Sequence, residues 1–132
     1  ARALSKETNE KIASKMLQIV EGICNAHGVN GSVKYETTCP VTFNSKNQTE
    51  SATKAAVSLL GSDKCNGDIE PRLFSEDFSV MANEKPGCFV LMGNGKSDQH
   101  SRPLHADNYD FNDELLVIGS SYWTELVEQQ LK

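Results

Sequence analysis

The chain has 132 residues, 38% apolar and 23% charged, with 13 basic against 18 acidic side chains and a net charge of −5. That length points to a single domain, and the acidic balance leaves no basic stripe with which to meet nucleic-acid phosphate. No apolar run approaches the roughly 20 residues of a bilayer span, so nucleic-acid and membrane partners are excluded and a cytoplasmic protein is expected.

Residues 1–6, Ala-Arg-Ala-Leu-Ser-Lys, contain no signal-peptide apolar region, and no initiator Met precedes them. The chain therefore reads as a processed product or a piece of something longer. Ser5 is placed to cap a first helix, with Glu7 in its first turn to complement the dipole. Ile12, Met16, Ile19, Val20 and Ile23 recur at three- and four-residue spacing and predict one apolar stripe, packed as core. Gly28 and Asn30-Gly31 end the helix, which is placed at residues 5–27. Val33, Tyr35 and Thr37 alternate with polar residues, the pattern of a half-exposed strand over 32–38. One helix and one strand do not make a stable unit, so part of the sheet covering the stripe is expected outside this chain or in a partner copy.

Residues 39–49 read as a polar crossover. A second helix is predicted at 49–60, facing inward through Ala52, Ala55, Ala56, Leu59 and Leu60 and stopped by Gly61. After an irregular stretch, Ser75 caps a short acidic-fronted helix through Ala82. Cys88-Phe89-Val90-Leu91-Met92 is a continuous apolar run and predicts a buried, parallel-type strand. Gly93-Asn94-Gly95 turns the chain at that strand's C-terminal end, the edge where open α/β sheets bind ligands. A long polar loop, 96–112, holds His100 and His105, and a last helix spans 113–131 with Leu115, Ile118, Tyr122, Leu126 and Val127 inward. Cys24, Cys39, Cys65 and Cys88 are too widely spaced for a zinc signature and read as buried, reduced thiols.

Several motifs occur in a fixed order: Ser75-Glu76-Asp77-Phe78, Pro86-Gly87-Cys88-Phe89, Gly93-Asn94-Gly95, Leu104-His105, and Tyr109-Asp110-Phe111-Asn112-Asp113. Together they resemble the C-terminal portion of the metal-dependent amidohydrolases that include hippurate hydrolase and the auxin–amino-acid conjugate hydrolases. The resemblance reaches back to Arg2-Ala3-Leu4 and covers essentially the whole chain. It implies an α/β fold, α+β as an isolated fragment. Residues 1–45 would belong to a lid and dimerisation domain (helix plus strand). Residues 46–132 would form the C-terminal part of a di-metal exopeptidase-like catalytic domain.

The family's His-x-Cys-Gly-His-Asp motif, Glu-Glu pair and further histidine do not occur in these 132 residues. The resemblance assigns His105 the role of last metal ligand. It leaves Gly93 and Asn94 to line the substrate cleft, with a plain turn as the alternative, and Glu76 and Asp77 to support the ligands from behind by hydrogen bonding, with an acidic first helical turn as the alternative. No catalytic residue is assigned. In the whole enzyme a divalent metal, zinc or manganese, would polarise the amide carbonyl of an N-acyl amino acid and acidify bound water, with a glutamate outside this chain as base. The chain alone would bind no metal tightly and would be inactive, and a homodimer is expected. Arg2 is a further candidate for a substrate carboxylate. His100 reads as a solvated loop residue and His27 as a helix C-terminal histidine. Asp110 and Asp113 read as caps of the last helix, and a hydrogen bond from His105 to Asp107 is the plain alternative to its metal role. The alternative for the whole chain is a non-enzymatic oligomerising module.

Overall fold

A computed structural model describes residues 1–132, apart from the side chain of Asp98. Four α-helices organise the chain: α1 (Lys6–His27), α2 (Lys46–Leu60), α3 (Phe78–Glu84) and α4 (Glu114–Gln130). Two short 3-10 turns lie at Ser62–Lys64 and Asp98–Ser101. The chain divides into two compact units. One holds Ala1–Asn44 with Ile69–Gly87, and the other Ser45–Asp68 with Cys88–Lys132.

The expected α/β fold is not what forms. Among the described residues there is no strand, and the segments 32–38 and 88–92 are without regular structure. A strand exists only through the ladder it makes with a neighbour. Alternation in 32–38 and apolarity in 88–92 say which faces would be buried, not whether a partner strand is there. Side chains do part of that work for 32–38. Asn9 of α1 donates through Nδ2 to Thr37 Oγ1 (2.9 Å) and accepts from the Tyr35 hydroxyl (2.6 Å).

In the first unit, α1 begins and ends as its sequence dictates. Ser5 is extended, and its hydroxyl accepts from Thr8 N at 3.1 Å. Gly28 takes φ 63°, a left-handed position that suits glycine. It donates to Asn25 O while Val29 N donates to Cys24 O, the paired bonds that close a helix with this cap. The stripe expected to pack as core is not covered within this chain: α1 has no buried residue, and Ile19 and Ile23 are 59% and 55% exposed. The periodicity defined the apolar face, but nothing in the unit covers it. α3 starts two residues later than read, at Phe78, and Glu76 accepts from the backbone N–H of Asp77 at 3.1 Å. Ser79 is fully buried, and its hydroxyl has no hydrogen-bond partner among the described residues.

In the second unit α2 starts at Lys46, three residues earlier than read, and packs on α4. Ala52 and Ala55 are buried at the contact, and their small side chains let the helices approach. Tyr122 is the one buried side chain of α4. Leu115, Ile118 and Leu126 are half-buried, while Val127, expected inside, is 55% exposed. Glu125 of α4 is held below the ordinary carboxylate range by a hydrogen bond from Gln129, then by the Ser58 hydroxyl of α2 and the Lys132 and Lys54 charges. All four cysteines are free and half-buried, not fully buried. No helix among the described residues is long and apolar enough to cross a membrane.

Candidate functional site

The second unit contains His105, Gly93 and Asn94, and the first contains Glu76 and Asp77. His105 sits in a tight turn from Pro103 to Ala106, closed by Ala106 N donating to Pro103 O at 3.2 Å. It is the third residue of that turn and takes φ 70°, the one positive φ outside glycine among the described residues. A turn that demands positive φ at this position normally takes glycine or asparagine, and holding another L-residue there costs about 1–2 kcal/mol. His105 is exposed, and its imidazole makes no hydrogen bond among the described residues, so the expected alternative pairing with Asp107 is not made.

The loop is stitched on both sides of this histidine. Arg102 Nη1 donates to Asn108 O at 2.7 Å across the base of the turn, and Tyr109 N donates to Ala106 O at 3.1 Å. Tyr109 and Phe111 meet edge to face, with centroids 5.0 Å apart. Further out, the loop converges on Asn94. Its Nδ2 donates to His100 O (3.2 Å) and to Asp110 O (2.7 Å), and its Oδ1 accepts from Asn112 N (2.8 Å). Asn112 returns the contact, donating through Nδ2 to Asn94 O at 3.2 Å.

Asn112 also caps α4, its Oδ1 accepting from Glu114 N at 3.1 Å. The capping expected of Asp113 is therefore absent: that residue stands at the cap position but makes no side-chain cap bond. His100 is not the freely solvated residue expected. Its side chain is 27% exposed, and Nδ1 lies 3.4 Å from Asp110 O, a contact it can make only as donor, and 4.0 Å from Asp110 Oδ2. Gly95 is required by this packing, because a Cβ there would stand 2.8 Å from His100 Cβ. Gly93 faces open space, where a Cβ would meet nothing within 4 Å. Arg2, in the first unit, donates through Nη1 to Leu73 O at 2.8 Å.

Among the described residues no group of three or more His, Cys, Asp or Glu side chains is arranged to hold a metal ion. The described residues do not fit a metal by themselves, since a tight site needs several converging ligands. A cavity of about 360 Å³ lies in the second unit between α2 and α4, lined among others by Ala52, Cys88, Val90, Tyr122 and Trp123. It contains none of the residues read from the sequence as site residues. Burial, and then the neighbouring Cys88 thiol, push the Tyr122 hydroxyl above its ordinary range.

Comparison with known proteins settles the class. The model of Peptidase family M20/M25/M40 matches residues 5–129, and the chain belongs to that family. It is 30% identical over 131 residues to a hippurate hydrolase of Campylobacter jejuni, covering 99% of this chain and 33% of that protein. It is 27% identical over 121 residues to thermostable carboxypeptidase 2 of Saccharolobus solfataricus, covering 90% of this chain and 30% of that one. An IAA-amino acid hydrolase of Arabidopsis thaliana is 33% identical over 114 residues, 83% of this chain and 24% of that protein. The family resemblance read from the motifs is borne out. The chain spans between a quarter and a third of the length of these relatives, and no solved structure matches it.

Proposed function

We propose that these residues form the C-terminal part of a hydrolase that cleaves the amide bond of N-acyl amino acids or small peptides. In this reading His105 is their contribution to a zinc or manganese site whose remaining ligands lie outside the 132 residues. Membership of the peptidase family supports the reaction class. The observation that carries the site is the His105 turn: an exposed imidazole, free of internal partners, on a backbone held at φ 70° by a stitched loop. Strain kept at one polar residue by its surroundings is a mark of a functional position. Gly93, with open space beside it, is proposed to line the substrate cleft.

The test compares the longest natural polypeptide containing this chain with the 132 residues alone, on hippurate and related N-acyl amino acids. The expected result is metal-dependent cleavage by the first and none by the second, with only weak zinc or manganese binding by the second. Absence of amide hydrolysis by the longer polypeptide overturns the reading.

A second reading, a non-enzymatic oligomerising module, is favoured by the uncovered face of α1, where Met16, Ile19 and Ile23 are 40%, 59% and 55% exposed. Self-association through α1 and residues 32–38, with no hydrolysis by the longer polypeptide, is the result that selects it.

A further inference from the structure

We propose that Asn94 is the positioning residue of the His105 loop rather than a group that touches substrate. The inference rests on His105 being the site residue of this chain.

The feet of the loop that displays His105 are residue 100 on one side and residues 110 and 112 on the other. The Asn94 side chain bonds to both feet at once: two donated bonds, to His100 O and Asp110 O, and one accepted from Asn112 N. Both amide hydrogens are thereby committed and a single lone pair on Oδ1 remains, so the group has no donor left to offer a substrate carbonyl or carboxylate. The Asn112 amide doubles the tie and then caps α4, so the loop is referenced to a 17-residue helix. Gly95 allows the approach, because any Cβ would meet His100 Cβ at 2.8 Å. A histidine at positive φ persists only while its surroundings over-determine it. The inner turn from Pro103 to Ala106 has one closing bond, and the Arg102 bond stitches its base. Asn94 supplies the rigid frame on which both stand.

The test uses the labelled 132-residue chain, without metal or substrate, and its Asn94→Ala and Asn94→Asp variants. Nuclear magnetic resonance reads three quantities: the amide–Hα coupling of His105, which reports φ; amide exchange over 100–112; and the Tyr122 ring signals, which report the α2–α4 contact. Asn94→Ala should move the coupling away from its left-handed value and speed exchange in the loop by about tenfold or more, with Tyr122 unchanged. Asn94→Asp keeps the acceptor but turns the donating end into a carboxylate oxygen facing the His100 and Asp110 carbonyls, so it should change both quantities in the same direction at least as much.

Unchanged coupling and exchange at His105 in Asn94→Ala overturns the proposal. So does loss of the Tyr122 signals in both variants, which would make Asn94 a general stability residue. Because these readouts involve no reaction, they can fail while the hydrolase reading stands, and the reverse. In the longer polypeptide, Asn94→Ala should lower kcat with KM within about threefold of the unsubstituted protein. A selective rise in KM would instead make Asn94 a substrate contact.

Discussion

Replacing Tyr122 by alanine tests whether the second unit stands on the α2–α4 contact. Tyr122 is 6% exposed and is the largest of the four buried side chains among the described residues, the others being Ala52, Ala55 and Ser79. Truncating a buried aromatic typically costs about 3–5 kcal/mol through lost transfer energy and the void left behind. Here the void would open onto the cavity of about 360 Å³ that Tyr122 already borders, so water can fill part of it. That places the loss near the lower end, about 3 kcal/mol. Domains of ordinary size are stable by only about 5–15 kcal/mol, so the variant should lose much of the unit's margin.

Urea denaturation followed by Trp123 fluorescence reads it locally, because the single tryptophan lies with its ring 5.3 Å from Tyr122. Tyr122→Phe keeps the ring and should cost under about 1.5 kcal/mol. If Tyr122→Ala shifts stability by less than about 1 kcal/mol, the contact does not hold the unit and the reasoning fails.

Four further outcomes follow from the same structure. Ser79→Ala removes a fully buried hydroxyl that has no partner, and should stabilise the first unit by about 1 kcal/mol; a loss of stability would reveal a bond the hydroxyl makes. Glu125 has a depressed pKa, so its contribution is fully present above the ordinary carboxylate range and fades as pH falls through the folded value. Glu125→Gln should therefore flatten the acid limb of stability, and an unchanged acid limb would contradict the assignment. For Tyr122 the folded pKa is raised, so its contribution is present below the ordinary tyrosine value and is lost as pH rises through the folded one; Tyr122→Phe should remove that alkaline fall. His105→Gly relieves the left-handed backbone at the cost of glycine's chain entropy, for a net stabilisation of about 0.5–1 kcal/mol read by thermal unfolding.

Local signals in the sequence reached all four helices and both ends of α1, but missed the starts of α2 and α3 by three and two residues. Ser5 and Gly28 fixed α1 to within a residue because capping is short-range chemistry between neighbours. The sheet was misread because pairing is not local: Val33, Tyr35 and the run from Cys88 to Met92 carry strand composition, but no ladder partner accompanies them. The exposed face of α1 has the same origin, since periodicity defines a face and not what covers it. The motif singles out His105 as a candidate ligand, but its left-handed turn gave no signal in the sequence, because histidine is no turn signal of the glycine kind. Asn94 drew attention only as part of a Gly-Asn-Gly turn. Its bonds reach residues 6, 16 and 18 positions on, and no spacing rule predicts them.

The most direct measurement of the central claim is the amide-hydrolysis rate of the longest natural polypeptide carrying His105→Ala, beside His105→Gly. If His105 completes the active site, both variants should lose at least about a thousandfold in kcat/KM on N-acyl amino acids while remaining folded, the glycine variant with equal or higher stability. Hydrolysis within a few-fold of the unsubstituted protein in either folded variant would contradict the account.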